Sequence, residues 1–180
     1  RPLYLRNAGE RHGGEEQQQD SFQWAAHLGR QKSEIRNPKS EIPVVLDADA
    51  LNALARTPGW AEGLPLGRVI LTPHPGEMGR LLGRSIAEVE AQRLETAQEA
   101  ARAWQQVVIL KGAYSLIAGP DGRVAINPFA NPALATAGTG DVLAGAIAGL
   151  LAQGLVPFDA ARLAAYLHGL AGELASEEIG

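Results

Sequence analysis

The chain has 180 residues, 46% of them hydrophobic and 20% charged, and 16 Lys and Arg against 20 Asp and Glu give a formal net charge of -4. That length suits one domain of about 100–200 residues, and the weakly acidic balance argues against a nucleic-acid surface, which needs clustered basic residues. Cysteine is absent, excluding a disulfide framework and a thiolate metal site, and no apolar run approaches the roughly 18 residues of a membrane span.

Composition changes near Pro43. Arg1 to Arg6 leads into no apolar run, so no signal peptide and a cytoplasmic protein are expected. Glu15 to Asp20 is low-complexity, and Lys32-Ser33-Glu34-Ile35 recurs as Lys39-Ser40-Glu41-Ile42. Two copies are too few for a solenoid, and the step from Asn37 to Pro38 disfavours helix. Residues 1–42 therefore read as a poorly ordered arm with scattered anchors such as Phe22 and Trp24, or as a replacement for part of another domain.

From residue 43 to 180 the pattern is that of a packed domain. Val44 to Leu46 is a short apolar run ending in Asp47, suited to a buried parallel strand. A short helix follows over 49–56, with Asp49 placed to cap it. Residues 68–71 form a second buried strand, and Pro75 suits the first turn of a helix running to Leu82. Ser85 and Glu88 have capping-box spacing and open a long amphipathic helix to about Trp104. Val107 to Leu110 is a third buried strand. Residues 115–118 and 123–127, joined through Pro120-Asp121-Gly122, make a hairpin. Two helices, near 139–153 and 158–177, close the chain. Strands alternating with helices predict an α/β layered fold with a mainly parallel sheet flanked by helices.

In such sheets ligands gather at the carboxyl ends of the strands. The segment Ala135-Thr136-Ala137-Gly138-Thr139-Gly140-Asp141 runs straight into an apolar helix. Its glycines let backbone amides approach a ligand, and a helix N-terminus carries about half a positive charge, which favours an anion. Asp141, on the first turn, can accept a hydroxyl proton while those amides stabilise charge developing on phosphate. An ordinary glycine-rich turn with Asp141 matched to the helix dipole is the plainer reading of the same residues.

The string Asn131 to Gly154, with Val45 to Asn52, Leu71 to Met78, Val108 to Gly112 and Tyr166 to Gly172, closely resembles the ADP/ATP-dependent NAD(P)H-hydrate dehydratases of the ribokinase-like superfamily. The likeness covers about residues 43–176. It implies a ribokinase-like fold whose N-terminal part is missing or replaced, because residues 1–42 do not match the family's first glycine-rich strand–helix unit. Ala130 and Ala133 stand where the family commonly has glycine, and Ser115 where threonine is usual.

The resemblance implies repair of hydrated NADH or NADPH. A phosphoryl group passes from ADP or ATP to the C6 hydroxyl of the S-epimer, and phosphate then leaves. Hydroxide is a poor leaving group and phosphate a good one, and phosphoryl transfer rests on positioning and charge neutralisation. Asp141 is then the base and touches the substrate, with Gly138, Thr139 and Gly140 as the anion hole. Gly140 also meets the nucleotide. His74 contacts the hydrated cofactor as a neutral imidazole, a group whose unperturbed pKa is about 6.5. Lys111, Gly112, Ala113, Tyr114 and Ser115 bind the nucleotide, with Lys111 either contacting phosphate or holding the turn. Asp47, Asp49 and Asn52 either cap and hydrogen-bond their loop or orient solvent or metal. Glu77 serves the loop or the site, and His168 reads as a packed helix residue.

Mg²⁺ is expected with the nucleotide, with no dedicated metal cage in the chain. The family also implies a homo-oligomer, a tetramer, with no nucleic-acid or membrane partner. The rival readings are a ribokinase-like kinase for a vitamin precursor or sugar, which would release a stable phosphorylated product, and a nucleotide-binding remnant without turnover.

Overall fold

The computed structural model describes residues 3–4 and 42–179. The poorly ordered arm expected over 1–42 thus lies outside the described residues, apart from Ile42 and the two-residue strand Leu3–Tyr4 (β1). The remaining strands are Val44–Leu46 (β2), Val69–Leu71 (β3), Val107–Leu110 (β4), Leu116–Ala118 (β5) and Val124–Ile126 (β6). The helices are Asp49–Ala55 (α1), Pro75–Leu82 (α2), Ile86–Ala91 (α3), Arg93–Trp104 (α4), Thr139–Ala152 (α5) and Pro157–Ile179 (α6).

The sheet runs β1-β2-β3-β4-β5-β6. β1 to β4 are parallel, and β5 and β6 add an antiparallel hairpin. Side chains alternate across a strand, and the register aligns one face: Val45 opposes Ile70, Ile70 opposes Val107, and Ile109 opposes Ile117. These five pack with Leu143, Ile147 and Leu151 of α5 and Phe158, Ala161 and Ala165 of α6. The other face carries Leu46, Leu71, Val108 and Ala118 in register. It packs against Leu51 of α1, Met78 of α2, Val89 of α3 and Trp104 of α4. Burying side chains such as Ile70 and Leu71, both fully inaccessible, stabilises by about 1.5–3 kcal/mol each. Strands β2 to β5 therefore each give one residue set to each helical layer, and the carboxyl ends of the parallel strands lie along one edge.

Two expectations need correction. The helix expected over 85–104 is two, because Gln92, at φ -136 and ψ 49, leaves helical geometry. No glycine or proline marks the break, which turns Arg93 toward the end of β4. The N-cap of α1 is Ala48, at φ 49 and with no side-chain bond, while Asp49 sits inside the first turn. The capping box of Ser85 and Glu88 forms as expected, Ser85 Oγ accepting from the Glu88 amide at 3.2 Å. Among the described residues no helix is long and apolar enough to cross a membrane.

Candidate active site at the carboxyl edge of the sheet

The strand ends are tied before any side chain acts. Thr72 N–H donates to Leu46 O at 3.1 Å, and Lys111 N–H to Pro73 O at 2.8 Å. The residues leaving β2, β3 and β4 thereby emerge side by side. Lys111 Nζ reaches Asp47 Oδ1 at 2.8 Å and lies 3.7 Å from Glu77 Oε2. The side chains of Asp47 and Glu77 are only 9% and 5% exposed, and that of Lys111 21%. Two nearly buried carboxylates thus share one ammonium, and each charge depends on its partner to offset desolvation.

Glu77 carries the network into α2. Its Oε2 accepts from His74 N–H at 2.8 Å, while His74 Nδ1 accepts from the amides of Gly76 at 3.0 Å and Glu77 at 3.3 Å. This is a capping box with histidine in the place usually held by Ser or Thr, and Pro75 follows at the first helical position. Accepting at Nδ1 assigns the imidazole as neutral with its proton on Nε2. Nε2 lies 3.5 Å from Glu77 Oε1, and half of the imidazole surface faces solvent. Partial burial holds the His74 pKa below its ordinary value; Glu77 opposes this, and Lys111 and Arg80 reinforce it.

The opening of α5 lies over the same ion pair. Gly138, at φ 92, turns the chain into the helix in a conformation that favours glycine. A Cβ on Gly140 would come 3.4 Å from Asp47 Oδ2 and 3.7 Å from Lys111 Nζ. The first helical bond runs from Val142 N–H to Gly138 O at 3.2 Å, so the amides of Thr139, Gly140 and Asp141 precede it. The Thr139 amide donates back to Thr136 O at 3.3 Å, and its hydroxyl to Leu134 O at 2.7 Å and Thr136 O at 2.8 Å. Asp141 follows on the first turn and is half-buried.

This loop is seated on α6. Asn131 Nδ2 donates to Gly172 O at 3.0 Å and Ser176 Oγ at 2.8 Å, and its Oδ1 accepts from Ala133 N–H at 2.8 Å. His168, half-buried on α6, hydrogen-bonds the Thr139 backbone; burial lowers its pKa and that bond opposes the shift. The expected packing role of His168 therefore includes a direct tie to the α5 opening.

After β4, Ser115 Oγ accepts from Gly112 N–H at 3.2 Å and donates to Gly112 O at 2.9 Å, closing the 112–115 turn. Tyr114 sits at φ 53 and exposes its ring, with its amide donating to Phe129 O at 2.9 Å. Ala113 is also exposed. The structure thus connects His74, Lys111 and Gly140 through Glu77 and Asp47, with Gly112 to Ser115 beside them on the chain. Asn52 is used elsewhere: its Oδ1 accepts from Arg80 Nε at 2.9 Å, joining α1 to α2. Asp49 is exposed.

A mainly parallel sheet between two helical layers, with a glycine-led helix opening over its charged strand edge, defines an α/β fold of ribokinase-like type. The NAD(P)H-hydrate dehydratase family matches residues 25–180. The chain belongs to that family. It is 56% identical over 143 residues to the bifunctional NAD(P)H-hydrate repair enzyme Nnr of Moorella thermoacetica, covering 79% of this chain and 27% of the relative. It is 47% identical over 149 residues to the ADP-dependent (S)-NAD(P)H-hydrate dehydratase of Neisseria meningitidis, covering 81% and 50%. Among solved structures, the ADP/ATP-dependent NAD(P)H-hydrate dehydratase of Bacillus subtilis, co-crystallised with ATP/Mg²⁺ and soaked with CoA, superposes with a TM-score of 0.70 at 42% identity. The match covers 82% of this chain and 53% of that one. The chain therefore spans about half, or less, of the length of these relatives.

Proposed function

We propose that this chain carries the phosphoryl-transfer edge of an ADP- or ATP-dependent dehydratase acting on the S-epimer of hydrated NADH or NADPH. The observation that carries the reading is the seat of Gly140. The helix opening that would hold a migrating phosphoryl group lies directly over the Asp47–Lys111 pair, which Glu77 links to His74.

In this reading Asp141 accepts the proton of the C6 hydroxyl as its oxygen attacks the terminal phosphorus of the nucleotide. The bond to the departing AMP or ADP breaks, with the amides of Gly138 and Gly140 holding the phosphoryl oxygens and the Thr139 amide exchanging its 3.3 Å bond to Thr136 O for the same anion. Phosphate then leaves C6 with loss of a ring proton, restoring the dihydronicotinamide. His74 has Nδ1 committed to the α2 cap, so Nε2–H is the edge it offers the substrate. Residues 111–115 hold the nucleotide. Lys111 acts by fixing the turn, because its ammonium is shared by Asp47 and Glu77.

Mg²⁺ supplies charge neutralisation when it arrives with the nucleotide. A protein-built cage does not fit: Asp47 and Glu77 already face Lys111, and among the described residues no three His, Asp or Glu side chains form a group able to hold a metal. We place the protein in the cytoplasm as a homo-oligomer, in keeping with a repair task on a soluble cofactor.

Product analysis tests the proposal. Incubating the chain with hydrated NADPH, ADP or ATP and Mg²⁺ should return NADPH absorbance and release free phosphate. A stable phosphorylated product without NADPH would support a kinase, and nucleotide binding without either product a remnant.

A further inference from the structure

Arg93 is a charged side chain that no motif singles out, yet it reaches the turn after β4. It opens α4 immediately after the break at Gln92. Its Nη2 donates to Leu110 O at 3.4 Å and Lys111 O at 3.3 Å, two consecutive carbonyls at the end of β4. Its Nη1 donates to both carboxylate oxygens of Glu90, each at 3.2 Å, from the last turn of α3. The Arg93 side chain is only 18% exposed.

The guanidinium also fills the space beside Gly112. That residue sits at φ 141, where glycine is favoured, and a Cβ there would lie 2.7 Å from Nη1 and 2.9 Å from Nη2 of Arg93. A rigid planar fork meets two carbonyls and a carboxylate at once; an ammonium on a flexible stem does not reproduce that geometry. Lys111 is thereby fixed from two sides, its carbonyl by Arg93 and its ammonium by Asp47.

We propose that Arg93 is a positioning residue for the 111–115 turn: oriented by Glu90, it clamps the carbonyls of Leu110 and Lys111 and so sets the shape in which the turn receives a nucleotide. This rests on the reading of 111–115 as the nucleotide-binding turn. It also gives the bend between α3 and α4 a purpose, because the bend brings the guanidinium to the strand end.

The test compares Arg93→Ala, Arg93→Lys and, as a control on a more exposed pair, Arg84→Ala, whose guanidinium meets Glu99 at 3.3 Å. Two readouts are taken: ADP affinity by calorimetry with Mg²⁺, and hydrogen exchange of the 111–115 amides without nucleotide. Arg93→Ala should weaken ADP binding about tenfold, the loss of roughly one charge-assisted hydrogen bond. It should also speed exchange across the turn. Arg93→Lys should recover less than half of either effect, and Arg84→Ala should leave both at the wild-type value. Wild-type exchange at 111–115 in Arg93→Ala overturns the clamp, as does an equal change in Arg84→Ala. Faster exchange with unchanged ADP affinity overturns the link from clamp to nucleotide. A wild-type chain that does not bind ADP overturns the reading of the turn, while exchange still judges the clamp by itself.

Discussion

Lys111 Nζ and Asp47 Oδ1 lie 2.8 Å apart, joining the ends of β4 and β2 across 64 positions of sequence. β3 runs between these strands, and α2, which follows it, brings Glu77 to 3.7 Å from the same ammonium. Two strand ends and the first turn of α2 thus meet at one cation, and the opening of α5 lies over it.

Removing that cation leaves two nearly buried carboxylates facing each other. Lys111→Met should destabilise the fold by about 3–5 kcal/mol, the usual cost of stranding a buried charge. Urea unfolding at neutral pH measures it. A loss below about 1 kcal/mol, the scale of a surface pair, would show that the network does not hold the edge.

The histidines give a pH signature. His74 and His168 both have folded pKa values below the ordinary one, while in the unfolded chain imidazole titrates near about 6.5. As pH drops, the folded state therefore takes up fewer protons than the unfolded chain. Their contribution is complete above about pH 6.5 and is lost as pH falls through the folded values. Protonation of His74 also removes the Nδ1 acceptor that caps α2. His74→Asn retains a good capping side chain and should flatten, without abolishing, the fall in unfolding midpoint between neutral and mildly acid pH. An unchanged slope would remove His74 from the account.

Much of this fold was legible because local chemistry and burial agree. Helix α2 runs from Pro75 to Leu82 as expected, since Pro75 and the Gly83 stop bracket it. Buried runs at 44–46 and 107–110 form strands within the expected limits. The break at Gln92 was not legible: no glycine or proline marks it, and the bonds Arg93 makes beyond it to the end of β4 are tertiary contacts without local signal. At the site, the strings around His74, Lys111 and Gly140 were readable as candidates. The link between them was not. Asp47 and Glu77 each have a plausible local task, and only the parallel register brings both to one ammonium.

Asn131 makes two bonds to α6 and a third within its own segment, and so holds the stretch before α5 against α6. Asn131→Ala should lower kcat for cofactor repair about 10–100-fold, the range that small misplacements of reacting groups produce, with ADP affinity largely kept. Steady-state kinetics beside calorimetry separates the two. An equal loss in ADP affinity, with kcat intact, would contradict a seat specific to the α5 opening.

The role of Asp141 is read most directly from the repair rate of Asp141→Ala, measured as NADPH regained from its hydrate with ADP or ATP, beside its ADP affinity. With Asp141 as the base, the rate should fall about 10²–10⁴-fold, the usual contribution of a positioned general base, with nucleotide binding largely retained. Turnover at the wild-type rate would contradict it.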